Sequence, residues 1–228
     1  MVSQRNSEAT DIRDARPRAR RKGARLLFAL IWAGSEFGVA SWGDPVFAQP
    51  LQDLAFKGVI TADYKTETNT DLLGKHIGPD DALLKITFTS RTDLGKVAFE
   101  QEMLLSDDVK FCDQPGKSVL GSWVDIFHDE FSLNAVRADR GVRAAYMTDI
   151  AKQPTDAPIT YHIYIRVRQG PRSILVDGGT ANIDPYDLAS APRDVCFRIL
   201  GRSLLGGGFA SNVVVVPSDA LRLAIEHR

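Results

Sequence analysis

Cysteine, histidine and long apolar runs are all scarce in this 228-residue sequence, and each scarcity excludes something. There are two cysteines, Cys112 and Cys196, and neither belongs to a CxxC pair. The four histidines are scattered, so no zinc-ligand spacing exists, and neither a metal nor a cofactor is expected. No GxSxG or HExxH motif occurs, and Gly206-Gly207-Gly208 lacks the Lys-Ser/Thr of a phosphate loop. No catalytic residue is assigned on these grounds. The apolar run over residues 26–34 is well short of the roughly 20 residues a membrane-spanning helix needs.

What is present points first to an address. Eight basic side chains fall in residues 1–25, directly ahead of the 26–34 apolar run, and Val46-Phe47-Ala48 follows the helix breaker Pro45. Basic, short-apolar and small-residue segments in that order are the parts of a signal peptide, with cleavage expected after Ala48. The boundaries are a leader over 1–48 and one domain over 49–228. An uncleaved anchor is the alternative, because the basic segment is long and Glu36 and Asp44 precede the cut. A cleaved chain would live in the periplasm or be secreted, with no stable membrane insertion. Two cysteines delivered to an oxidising compartment read as one bridge, Cys112–Cys196. From Gln49 onward the chain holds 20 basic and 24 acidic residues, so it lacks the basic footprint of a nucleic-acid binder.

The domain reads as all-β, an antiparallel sandwich or barrel-like fold closed by a short C-terminal helix. Leu84, Ile86 and Phe88 alternate with Lys85, Thr87 and Thr89, and the alternation over 159–168 is stricter still. Further strands are expected at 97–105, 119–127, 131–138, 173–176, 195–200 and 213–216. The four consecutive valines of the last suggest a strand buried on both faces. Turn signals such as Gly170-Pro171, Asp177-Gly178-Gly179 and Gly206-Gly207-Gly208 separate them. Only the end looks helical, with Ser218 as cap, Asp219 in the first turn and Leu221 with Ile225 as an i, i+4 pair. The order Cys112, Trp123, Cys196 resembles that of an immunoglobulin-like domain. Asp194, however, stands where that fold's corner tyrosine would be, and a plain sandwich explains the same residues.

Three clusters compete as sites. His162, Tyr164, Arg166 and Arg168 share one parity of a strand, and 11 of the 12 basic residues from Arg137 onward are arginine. Planar guanidinium groups suit carboxylates and sugar acids, so an outward face here would bind an envelope protein or an anionic glycan. His128-Asp129-Glu130, with Asp125 near, could supply the paired carboxylates of a glycosidase, but a polar turn between two strands explains it as well. The oxygen-rich segment from Asp177 to Asp187 lacks an EF-hand spacing and reads as a loop. The expectation is an exported, non-enzymatic binding module; a cell-envelope carbohydrate hydrolase and a membrane-anchored scaffold are the alternatives.

Overall fold

The computed structural model describes residues 51–62, 82–114, 125–176, 179–203 and 206–227, with backbone alone over 172–176 and 179–183. The expected leader, the cleavage site and Trp123 lie outside the described residues. The fold is mostly β, with antiparallel sheets, and carries four helices among the described residues.

The first sheet has five strands in the order β1 (Ala55–Ala62), β2 (Leu83–Ser90), β6 (Ile159–Arg166), β4 (Phe127–His128) and β5 (Phe131–Ser132). In the second sheet the central strand is β11 (Val195–Ser203). It pairs along its whole length with β3 (Met103–Phe111), from Val195↔Phe111 to Ser203↔Met103. Its other edge is shared by β13 (Val214–Val216) and β12 (Gly208–Ala210). Two ribbons complete the strands: β7 (Arg168–Gln169) with β10 (Tyr186–Asp187), and β8 (Arg172–Val176) with β9 (Gly179–Ile183). Between β11 and β12, Gly206 and Gly207 take φ values of 92° and 89°. Side chains rarely adopt that region, which is why glycine stands at this hairpin connection.

Both sheets contribute to one core. Leu84, Ile86 and Phe88 of β2 are fully buried with Ile163 of β6 and Val195, Phe197 and Ile199 of β11. The Phe88 ring meets Phe197 edge-on at 5.3 Å and Tyr161 at 5.7 Å. The period-2 pattern of β2 therefore does what it promised. The valine run does not: Val214 and Val216 are buried, but Val213 and Val215 are about half exposed, so β13 buries one face only.

The helices correct the all-β expectation. Residues 97–105 are split between α1 (Leu94–Glu100) and β3, with Glu102 at φ 50° between them. Asp93 caps α1, its Oδ1 accepting from the Lys96 amide at 2.9 Å. Only Phe131 and Ser132 of the 131–138 segment are strand; α2 (Leu133–Ala138) follows, capped by Ser132 Oγ. Asp139 ends α2 and starts α3 (Arg140–Ile150), its Oδ1 accepting from Gly141 and Val142. A short polar side chain that accepts from the first free amides is the ordinary way a helix begins. The terminal helix α4 (Ser218–Glu226) is where expected, with Leu221 buried. Its cap is Pro217, however, and the Ser218 amide donates to Asp194 Oδ1 at 2.7 Å.

Cys112 and Cys196 are joined, with their Cα atoms 5.0 Å apart, at the Phe111↔Val195 end of the β3–β11 ladder. No helix among the described residues is long and apolar enough to cross a membrane.

Candidate functional site

The four residues expected to form an outward face are not together at the surface. Tyr161, Ile163 and Ile165 do enter the main core, as the alternation requires. Yet His162 is 4% exposed and Tyr164 1%, because the opposite face of β6 is covered too. Tyr164, Leu83, Phe127 and Ala62 form a second, smaller apolar cluster there, and the His162 ring stacks on Phe127 at 5.5 Å. Burial, with the nearby charge of Lys85 and the ring of His128, lowers the His162 pKa from 6.5 to about 3, so it is neutral at any physiological pH. Its Nε2 has no hydrogen-bond partner among the described residues. Arg166 is half-buried and donates to Gln169 Oε1 at 2.9 Å. Arg168 lies on the separate strand β7, exposed, with its Nε 2.9 Å from Asp187 Oδ2 across the β7–β10 pair. The shared parity was real, but the second buried layer removes two of the four residues from solvent.

Asp125 is turned inward as well. Its Oδ1 accepts from the Ile126 amide at 2.9 Å and from Asn134 Nδ2 at 2.7 Å, and its Oδ2 accepts from the Ser132 hydroxyl. Asn134 also bonds the backbone of Leu105 in both directions. This network ties the start of α2 to β3. Burial raises the Asp125 carboxyl from 3.8 to about 6, against those hydrogen bonds, which pull it down. The perturbation has a structural cause, and the carboxylate is committed to holding the fold.

The concave surface lies next door. A cleft of about 830 Å³ opens between the β4–β5 turn and α3, with Asp129, Glu130 and Phe131 on one side and Ala145, Asp149 and Lys152 on the other. Lys85 of β2 lines it as well. Asp129-Glu130 forms the tight turn that was expected there, with Asp129 at φ 47°. Aspartate tolerates that left-handed conformation better than most residues. The hydroxyl of the lining residue Thr148 donates back to the Ala144 carbonyl at 2.8 Å.

His128 stands behind the cleft wall, its side chain 2% exposed. Tyr146 and Tyr161 present ring edges to it, with centroids 5.6 and 5.8 Å away. Its Nδ1 lies 2.8 Å from the Thr160 carbonyl oxygen, an acceptor only, so Nδ1 carries the proton and donates. In the neutral ring Nε2 is then a lone pair. Around it are Gln153 Nε2 at 3.1 Å, Asp149 Oδ2 at 3.4 Å and Asp129 Oδ2 at 3.9 Å. Tyr146 itself donates to Asp93 and packs over Gly95, where any Cβ would come within 2.4 Å of the ring. His128 and Asp129 are neighbours in the chain, but Asp149 arrives from the last turn of α3 and Gln153 from the turn that follows it, so no single periodic pattern joins them to His128.

No protein-family model matches the chain, and neither the curated proteins nor the solved structures compared with it include a match.

Proposed function

We propose that the chain is an exported binding module, a two-sheet β-sandwich whose ligand-contacting surface is the cleft between the β4–β5 turn and α3, and that it carries out no chemistry of its own. The cleft carries the reading. It is an open concavity lined by both lysines and carboxylates, with its threonine hydroxyl engaged by the helix backbone. The hydrolase alternative asks for a carboxylate pair drawn from residues 125–130, and Asp125 is tied into the α2–β3 network instead.

Export is supported by the leader-like composition of residues 1–48 and by the Cys112–Cys196 pair, which is ordinary in an oxidising compartment and rare elsewhere. Intact-mass measurement of the exported protein should find Gln49 first; full-length chain in the membrane fraction would favour the anchored scaffold. The ligand proposed is an anionic glycan or an acidic segment of an envelope protein, held by Lys85 and Lys152. Ala145→Trp fills the cleft from an exposed position without touching the core. Screening against anionic glycans and acidic peptides should give binding that this variant loses with its melting temperature unchanged. Binding that survives Ala145→Trp would move the ligand surface elsewhere.

A further inference from the structure

We infer that His128, Asp149 and Asp129 form a binding site for a divalent transition metal, of the zinc class, at the inner end of the cleft. The inference deepens the binding reading, since a metal there would add positive charge to the surface proposed to take an anionic ligand.

Three observations converge. The first is the state of the imidazole: Nδ1 donates to the Thr160 carbonyl, which leaves the Nε2 lone pair of the neutral ring on the side of Asp149 and Asp129. A ligating histidine is ordinarily held this way, with its other nitrogen donating to a carbonyl that fixes ring and tautomer. The second is spacing. One ligand atom from each of the three residues can be chosen so that all lie within 4.8 Å of one another, and Nε2 stands 3.4 and 3.9 Å from the two carboxylates. Two ligands about 2.1 Å from a tetrahedral ion stand roughly 3.4 Å apart. The third is charge. An imidazole lone pair and two carboxylate oxygens are all acceptors, and a small cation between them can be shared by all three. Imidazole with carboxylates suits zinc, whereas an all-oxygen shell would suit calcium or magnesium.

Entry and competition are also visible. The Asp129 side chain is 72% exposed and that of Asp149 31%, so an ion can reach the site from the cleft while the histidine stays in the core. Gln153 donates to Nε2 at 3.1 Å and must swing aside, and turning its amide would bring its oxygen to the vacated place. Lys152 Nζ holds the other oxygen of Asp149 at 3.4 Å from an exposed position. Such a pair is weak and yields readily to a divalent ion.

The test uses the oxidised full chain, stripped with chelator, titrated with Zn²⁺ by calorimetry and with Co²⁺ by visible absorption. A single saturable site is expected, with a Co²⁺ d–d band. Asp149→Asn and Asp129→Asn should each weaken binding at least about tenfold, the lower end of what loss of a mere outer partner costs. Both keep size, and asparagine accepts the φ of position 129, so the folds should survive where a change at buried His128 would not. Lys152→Ala should leave affinity equal or higher. Absence of saturable Zn²⁺ binding, or binding unchanged in Asp149→Asn, overturns the site. Absent Zn²⁺ binding together with glycan or peptide capture that persists in chelator would remove the metal and leave the binding module standing.

Discussion

Replacing Asp125 with asparagine should make the protein's stability respond to pH in a way the wild type's does not. Burial raises the folded-state pKa of this carboxyl from 3.8 to about 6. The folded chain therefore holds the proton more tightly than the unfolded chain does. The stability that follows is fully present below pH 3.8 and is lost as pH rises through about 6. At about 1.4 kcal/mol per pKa unit, the ionised wild type forgoes roughly 3 kcal/mol by pH 8. Asparagine keeps the acceptor for Ile126 and Asn134, and its amide can donate to the Ser132 hydroxyl, which already accepts from the Ala135 amide. Any misfit in those hydrogen bonds adds a constant offset and leaves the slope alone. Urea unfolding of both proteins between pH 4 and 8, at fixed ionic strength, should show the variant gaining on the wild type by up to about 3 kcal/mol, most of it between pH 4 and 7. Taking the difference cancels the titrating groups that do not interact with Asp125. Buried Asp107, raised chiefly by burial and in part by the Asp125 charge, is relieved in the variant and adds to the same gain. A flat difference, or a variant that loses ground as pH rises, would mean that the three donors outweigh burial and the reasoning fails.

His162 acts in the opposite sense. Its pKa falls from 6.5 to about 3, so its contribution is present above pH 6.5 and lost as pH falls toward 3, at about 1.4 kcal/mol per pH unit. His162→Phe should flatten acid unfolding over that window; unchanged acid sensitivity would show that the ring is hydrated in solution. Gly95→Ala should cost about 1–3 kcal/mol, since the new Cβ meets the buried, hydrogen-bonded Tyr146 ring, whereas Gly170→Ala meets nothing within 4 Å and should be near neutral. Equal melting temperatures for the two would refute that packing. Removing both cysteines, Cys112→Ser with Cys196→Ser, opens an 84-residue loop and should lower stability by up to about 4–5 kcal/mol; thiol titration of the unfolded, unreduced wild type should find no free thiol.

Strand β2 was legible in the sequence because its apolar parity meets the core, and the bridge because two cysteines leave one pairing. The helices were not, and their size explains it. α1 buries Leu94, Gly95 and Ala98 of its seven residues, α2 Leu133 and Val136 of its six, and α3 only Tyr146 of its eleven. Stripes so short fall below the window in which a 3.6-residue period can be distinguished from alternation. Their caps, Asp93, Ser132 and Asp139, were the better evidence. Strand β6 misled for a different reason. Histidine and tyrosine bury as easily as they face water, so the parity of His162 and Tyr164 identified a face without saying what covered it. The candidate site was half readable: the His128-Asp129 turn lies in one stretch of chain, while Asp149 meets it only once α3 is folded back against β4.

The position of the bridge bears on how fast the chain finds its fold. Pairing β3 with β11 brings together residues more than eighty positions apart, and such distant pairings make β-rich proteins slow folders. Cys112 sits one step beyond the first pair of that ladder and Cys196 one step inside it, opposite Lys110, and the Cys112 amide donates to the Asp194 carbonyl at 3.0 Å. In an oxidised chain the two strands are thus already tethered at one tip. The search for each other becomes a zipper running from Phe111↔Val195 to Met103↔Ser203, as in a hairpin whose turn is covalent. Loop closure, the slow part, is complete before folding begins. An oxidised chain therefore spends less time with the long central strand β11 unpaired, and less time open to the edge-to-edge association that unpaired strands invite.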